Sequence, residues 1–226
     1  MKHNKRNKRS QKSRENQQHR LEVLEAQTPN QKNYIRDIVE NDIVFCSGPS
    51  GSGKSYIAAG ISSHHLHHGQ VERIIVTRPL VCAGKDVGSL PGELGEKIAP
   101  YLLPMQENIK HFLGRALYGF YANSKQIEFK PLEMMRGATF HDSYMILDEA
   151  QNCTIDQIKM FITRMGKNSK VLINGDTNQT DLKGHSGLAY VMNKLAHIDG
   201  VGVCKLSYED IQRNGIIGDV LNALEN

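Results

Sequence analysis

The chain has 226 residues, 39% of them apolar, 23% charged and none of them tryptophan, which suits one globular domain with a full core and leaves little room for a second. No apolar run reaches the roughly 18 residues that span a bilayer, no apolar leader follows the basic N-terminus, and Cys46, Cys82, Cys153 and Cys204 stand apart with no CxxC pair; these features argue against a membrane protein, a disulfide scaffold or a cysteine zinc site, and the expected compartment is a reducing cytoplasm. The formal charge of +4 is uneven, because residues 1–20 hold eight Lys/Arg against Glu15 alone, +7, while the other 206 residues hold 20 Lys/Arg and 23 Asp/Glu, −3.

Residues 1–20 have no apolar periodicity and are rich in Asn, Gln and Ser, so they read as a basic disordered tail. Such a tail serves either as a non-specific electrostatic arm for nucleic acid or as a solubilising extension. Residues 21–226 read as one domain. A helix is predicted from Thr28-Pro29 through Tyr34 and Ile35 to Val39. Strands are predicted at Asp42–Cys46, Arg73–Thr77, Ser143–Leu147, Lys170–Asn174 and Val203–Ser207, with a shorter element at Gln126–Lys130. Helices are predicted at Lys54–His67, Lys97–Gly114, Ile155–Met165, Gly187–His197 and Ile216–Glu225. Strands that alternate with helices imply an α/β fold of three layers with a mainly parallel sheet.

The sharpest local signal follows the first strand. Gly48-Pro49-Ser50-Gly51-Ser52-Gly53-Lys54-Ser55 has the spacing G-x-x-x-x-G-K-[ST] between an apolar strand and a helix. The glycines let backbone N–H groups curl toward phosphate oxygens, and the helix start adds its positive dipole end. Lys54 can neutralise the β- and γ-phosphates, and the Ser55 hydroxyl can hold Mg²⁺. The implied cofactors are ATP and Mg²⁺.

Two further strands end in polar clusters. Tyr144-Met145-Ile146-Leu147 runs into Asp148-Glu149-Ala150-Gln151. Asp148 is the candidate Mg²⁺ carboxylate, and Glu149 is the candidate general base that polarises an attacking water. An acid directly after the metal-binding one points to water as the acceptor, hence hydrolysis. Val171-Leu172-Ile173 runs into Asn174-Gly175-Asp176-Thr177-Asn178-Gln179. Gln179 is the candidate γ-phosphate sensor, and Asp176 can orient it; an Asx-turn is the structural alternative. Gln31, ahead of the first strand, is a candidate adenine reader, because a glutamine amide pairs with N6 and N7. Tyr34 would pack nearby, and a plain helix start with surface glutamines explains the same stretch.

These motifs, in this order, resemble the PhoH-like family of P-loop ATPases, a RecA-like group related to superfamily 1 helicases. The resemblance covers about residues 24–224. Its most specific pieces are Met135-Arg136-Gly137-Ala138-Thr139-Phe140, Leu147 to Asn152, Met160 to Gly166, and Gly175 to Leu182. Thr77-Arg78-Pro79, Gly88-Ser89-Leu90-Pro91-Gly92 and Asp210-Ile211-Gln212-Arg213-Asn214 also match family segments. The chain departs from the family at Ala138, where Arg is usual, and at Gln212 and Asn214, where Val and His are usual. The short form is similar to phage-encoded members, for which the compartment is the host cytoplasm.

The resemblance implies ATP hydrolysis coupled to single-stranded RNA or DNA, RNA ahead of DNA, with grip from the tail or a loop after Arg78. A motor of this type closes ATP between two lobes, and an arginine finger from the second is worth about 10³–10⁵ in rate. One lobe therefore implies a homo-oligomer that completes its site in trans, a hexameric ring by the resemblance. Arg213 and Arg164 are the finger candidates, with Arg136 third. A nucleotide or RNA kinase and an ATP-gated RNA-binding scaffold remain the alternatives. The histidines at 64, 65, 67 and 68 suit a helix C-terminus better than a metal. Tyr118 to Tyr121, Met134–Met135 and Met160 to Met165 read as packing groups.

Overall fold

The computed structural model describes residues 21–79, 94–179 and 186–212 together with Val220, with only the backbone described over 94–99. The predicted tail, the Gly88 to Gly92 segment, Arg213 and, apart from Val220, the predicted helix Ile216–Glu225 lie outside the described residues.

The chain starts with helix α1 (Pro29–Glu40). Thr28 caps it by accepting from the Gln31 amide, Pro29 occupies its first turn, and Gln31, Tyr34 and Ile38 form its buried face. Strand β1 (Ile43–Ser47) feeds the glycine loop and then α2 (Lys54–His67). Strand β2 (Arg73–Thr77) precedes the long helix α3 (Leu94–Asn123). That helix runs well past the predicted end at Gly114. Gly114 does break it, with φ 73° and ψ 160°, but the chain re-enters helix beyond. The remaining elements are β3 (Ile127–Phe129), β4 (Ser143–Leu147), α4 (Ile155–Ile162), β5 (Lys170–Gly175), α5 (Gly187–Leu195) and β6 (Val201–Lys205). Short 3-10 turns cover Leu132–Met135, Ala150–Asn152 and Tyr208–Asp210.

The six strands form one sheet in the order β3-β2-β4-β5-β1-β6, and every pairing is parallel. Side-chain alternation splits the core into two faces. Val44, Cys46, Ile74, Val76, Tyr144, Ile146 and Leu172 pack under α1, α2 and α3. Phe45, Ile75, Met145, Leu147, Val171 and Ile173 pack under α4, α5 and the turn holding Leu132 and Met135. Helix α2 is apolar or small on most sides because the sheet and α3 enclose it. A Cβ on Gly60 would come within 2.8 Å of Phe112 Cζ, so glycine there sets the α2–α3 approach. The sheet order matters for function: β5 lies between β1 and β4, so three consecutive strand exits line one edge.

Several packing expectations differ in detail. Met135 is buried, but Met134 is 60% exposed. Tyr118 and Tyr121 lie partly buried against the core. In the histidine cluster, His65 Nδ1 meets Tyr144 Oη at 2.8 Å, His64 Nε2 meets Glu22 O at 2.8 Å, and His68 Nδ1 meets His64 O at 2.7 Å. Burial lowers the His65 value, which favours the neutral ring.

Candidate active site

The glycine loop is shaped by contacts on both sides. The Gly48 amide donates to Gly175 O at 3.1 Å, which ties the loop entrance to β5. A Cβ on Gly48 would lie 2.7 Å from Leu206 O, so the chain beyond β6 leaves room only for glycine. Ser52 is buried, and its hydroxyl donates back to Pro49 O at 2.8 Å. Gly53 closes the loop in the left-handed region at φ 97°, and Ile57 N donates to Gly53 O in the first helical turn. Ser50 faces solvent. The Lys54 amine lies over the loop, donating to Gly48 O at 2.5 Å and Pro49 O at 2.9 Å.

Opposite the loop stands the exit of β4. Ser55 Oγ donates to Asp148 Oδ1 at 2.7 Å, which joins the loop hydroxyl to the first acid. Burial, and then the Glu149 charge, push the Asp148 carboxyl up to about 6, against the Ser55 hydrogen bond and the charges of Arg78 and Lys54. The chain's own cations thus leave this carboxylate under-compensated. A hydroxyl and a carboxylate at this spacing are hard oxygen donors of the kind Mg²⁺ takes, so Ser55 and Asp148 fit the role expected of them.

Glu149 adopts φ 58° and ψ 41°, a left-handed turn that swings the chain off the strand. Both of its carboxylate oxygens are engaged. Arg78 Nη2 lies 3.4 Å from Oε1, and Gln151 Nε2 donates to Oε2 at 2.6 Å. Gln151 Oε1 in turn accepts from Asp176 N at 3.0 Å, linking the exits of β4 and β5. Asp176 Oδ1 accepts from the Asn178 amide at 3.0 Å, an Asx-type turn, and Gln179 N donates to Asp176 O at 3.3 Å. Gln179 itself is exposed. The loop, Arg78, Asp148, Glu149, Gln151 and Gln179 line a cavity of about 530 Å³ together with Tyr56, Pro104 and Asn108.

Other candidates take different places. Gln31 is 4% exposed and lies under the loop. Its Oε1 accepts from Gln27 N at 2.8 Å, and its Nε2 donates to Ser52 O at 3.0 Å and Asp210 O at 3.3 Å. It braces the loop against the chain after β6, with both ends of its amide bonded inside the protein. Tyr34 has no exposed surface and donates to Asn174 Oδ1 at 2.6 Å, so it is a core group. Arg164 donates to Met160 O at 3.2 Å and Ala138 O at 3.3 Å. Its backbone carbonyl accepts from Phe140 N, beside the start of β4. At roughly 3.3 Å per residue the length of β4 separates it from its own Asp148 by about 17 Å. Arg136 is exposed and lines a shallow pocket with Glu133, Asp156 and Gln157. The contacts of Arg78 and Gln151 within the site had no signature in sequence spacing. They follow from β2 lying beside β4, and β4 beside β5.

A strand, a glycine loop closing on a helix with its lysine and hydroxyl, and an acid at the end of a second strand define a P-loop NTPase. The "PhoH-like protein" family model matches residues 23–225, and the chain belongs to that family. The PhoH-like protein of Bacillus subtilis strain 168 is 42% identical over 204 residues, covering 89% of this chain and 64% of the relative. Protein PhoH of Escherichia coli K12 is 37% identical over 202 residues, covering 88% and 57%. The chain thus spans about three-fifths of the length of these curated relatives. Among solved structures, the large terminase of a thermophilic bacteriophage has a TM-score of 0.53 at 11% identity, covering 86% of this chain and 49% of that one. This likeness is one of fold. Among the described residues, no helix is long and apolar enough to cross a membrane.

Proposed function

We propose that the protein binds ATP with Mg²⁺ and hydrolyses it, with turnover coupled to single-stranded nucleic acid, RNA ahead of DNA. The observation that carries this reading is the Ser55–Asp148 bond, in a cavity that Glu149 and Lys54 also line. The loop amides and Lys54 cradle the phosphates, for which Lys54 exchanges its two carbonyl partners. Ser55 and Asp148 would hold Mg²⁺, which supplies charge neutralisation at the phosphates. Glu149 accepts the proton of the attacking water, and Gln179 contacts the terminal phosphate. Gln151 fixes the Glu149 carboxylate relative to β5. Tyr56, Pro104 and Asn108 also line the cavity.

The active form is a homo-oligomeric ring, a hexamer by family resemblance. The position of Arg164 supports a head-to-tail arrangement, because it stands at the far end of the sheet from its own loop and would meet the cavity of a neighbouring copy. Phosphate release from ATP, measured with and without single-stranded RNA and DNA, tests the activity. Lys54→Ala abolishes it, and Glu149→Gln retains nucleotide without cleavage. Normal turnover in Glu149→Gln refutes the base assignment. Sedimentation that shows only monomer in Mg²⁺-ATP refutes the ring.

A further inference from the structure

We infer that Arg78 is a latch on the general base, holding Glu149 away from the attacking water until a nucleic-acid phosphate draws the guanidinium off. The inference rests on the proposed assignment of Glu149 as base.

Thr77 pairs with Leu147 in the β2–β4 register, so Arg78 leaves the sheet directly beside Asp148 and Glu149. Its guanidinium is divided between two partners. Nη2 meets Glu149 Oε1 at 3.4 Å, and Nη1 donates to the Tyr101 carbonyl in the first half of α3 at 3.1 Å. With Gln151 on Oε2, each Glu149 oxygen already has a donor. A carboxylate turned toward these two donors is held in one orientation and has to swing off Arg78 before it can meet a water in the cavity. Gln151 is neutral and positions the group; Arg78 carries the charge that restrains it.

The latch can open because neither hold is strong. The Arg78 side chain is 25% exposed and that of Glu149 37%, so solvent screens the pair. The Tyr101 bond is to a neutral carbonyl. A phosphodiester offers two charged oxygens in the fork geometry that a guanidinium prefers. The terminal phosphate of ATP is the weaker competitor, since Lys54 and the loop amides already serve it. A single arginine thus links the β2 exit, helix α3 and the base, and gives occupancy of a nucleic-acid site a direct effect on the reacting group.

The test compares wild type, Arg78→Ala and Arg78→Lys at saturating Mg²⁺-ATP, with and without single-stranded RNA, after thermal melts establish folding. In Arg78→Ala the basal kcat rises about fivefold, equivalent to about 1 kcal/mol at 1.36 kcal/mol per factor of ten, and the stimulation by RNA shrinks by the same factor. Arg78→Lys keeps the charge and restores most of the low basal rate, which a merely structural role would not do. In wild type the basal kcat rises between 50 mM and 500 mM KCl as salt screens the pair, and in Arg78→Ala it does not. A basal rate that falls in Arg78→Ala overturns the latch and assigns Arg78 to the ATP phosphate instead. An unchanged ratio of stimulated to basal rate overturns it as well. Absence of turnover in wild type, with and without RNA, refutes the hydrolase reading itself and is a separate outcome.

Discussion

Replacing Asp210 by asparagine tests the brace behind the glycine loop. Asp210 is 1% exposed, and its carboxylate accepts from the Thr28 hydroxyl, from Asn30 Nδ2 at 3.0 Å, and from the Ser207 amide and hydroxyl at 2.6 and 3.2 Å. Burial alone raises this carboxyl. The bonds from the Ser207 amide, Thr28, Asn30 and the Ser207 hydroxyl outweigh it and hold the group below the ordinary aspartate range. Asparagine removes the charge and turns an NH₂ toward groups that are themselves donors. A hydrogen bond to a charged group is worth about 1.5–3 kcal/mol, and with partial relaxation the variant loses about 2–4 kcal/mol by urea unfolding at pH 7. Gln31 bonds to both Asp210 O and Ser52 O, so nucleotide affinity falls in the same variant.

The sign of the pH effect follows from the lowered value. A carboxyl depressed in the folded state contributes fully above its unfolded value of about 3.9. That contribution is lost as pH falls below this and through the folded value. Wild type therefore loses its advantage over Asp210→Asn on acidification below about pH 4. A variant within 0.5 kcal/mol of wild type at pH 7, or a gap that does not narrow in acid, would refute the reasoning (the margin being about the scatter of surface substitutions).

Other outcomes follow from the same contacts. Asp148 titrates near 6 with the metal absent, so apparent Mg²⁺ affinity, read by titration calorimetry, falls as pH drops below about 6, where protons compete for the carboxylate; Asp148→Asn flattens that profile. Because its folded value is raised, the same group makes the metal-free protein more stable, not less, as pH falls from 7 toward 4, which a thermal melt series with chelator checks. Gly175→Ala places a Cβ 2.6 Å from Leu188 Cδ2 and 2.8 Å from Gln151 Oε1; it costs about 1–3 kcal/mol by urea unfolding and lowers kcat more than it raises KM. Deleting residues 1–20 reduces salt-sensitive RNA affinity, measured by fluorescence anisotropy, and leaves basal hydrolysis intact; unchanged affinity makes the segment a tail only.

The parts of the site that one stretch of chain encodes were legible in the sequence. Strand β2, strand β4 and helix α2 fall on their predicted bounds, because a strand ending in Arg-Pro or in acids, and a helix opening on a glycine loop, carry their own punctuation. Strand β6 starts two residues earlier than predicted. Its second residue is Gly202, which has no β signal of its own and lies close under Asn41, where a Cβ would come within 2.9 Å of Nδ2. Helix α3 outran its prediction because Gly114, which reads as a stop, only breaks it. What spacing could not give was pairing between distant segments. Arg78 meets Glu149 only because β2 lies against β4, and Gln31 turns from a candidate base reader into a loop brace only because Asp210 arrives from the other end of the chain.

The place of β1 in the sheet also has a consequence for how the protein comes off the ribosome. Its two neighbours are β5 and β6, and the Thr28–Asp210 bond that backs its loop joins residues 182 positions apart. Ile43, Val44 and Phe45 are therefore synthesised long before their strand partners in β5 and β6. Parallel pairings of such long range form slowly, and the unpaired edge is open to aggregation in the interval. The brace behind the glycine loop is completed only when Leu206 and Asp210 have emerged. Substitutions that weaken β5 or β6 should accordingly lower soluble yield more than their equilibrium cost implies, an effect that co-expressed chaperone would relieve.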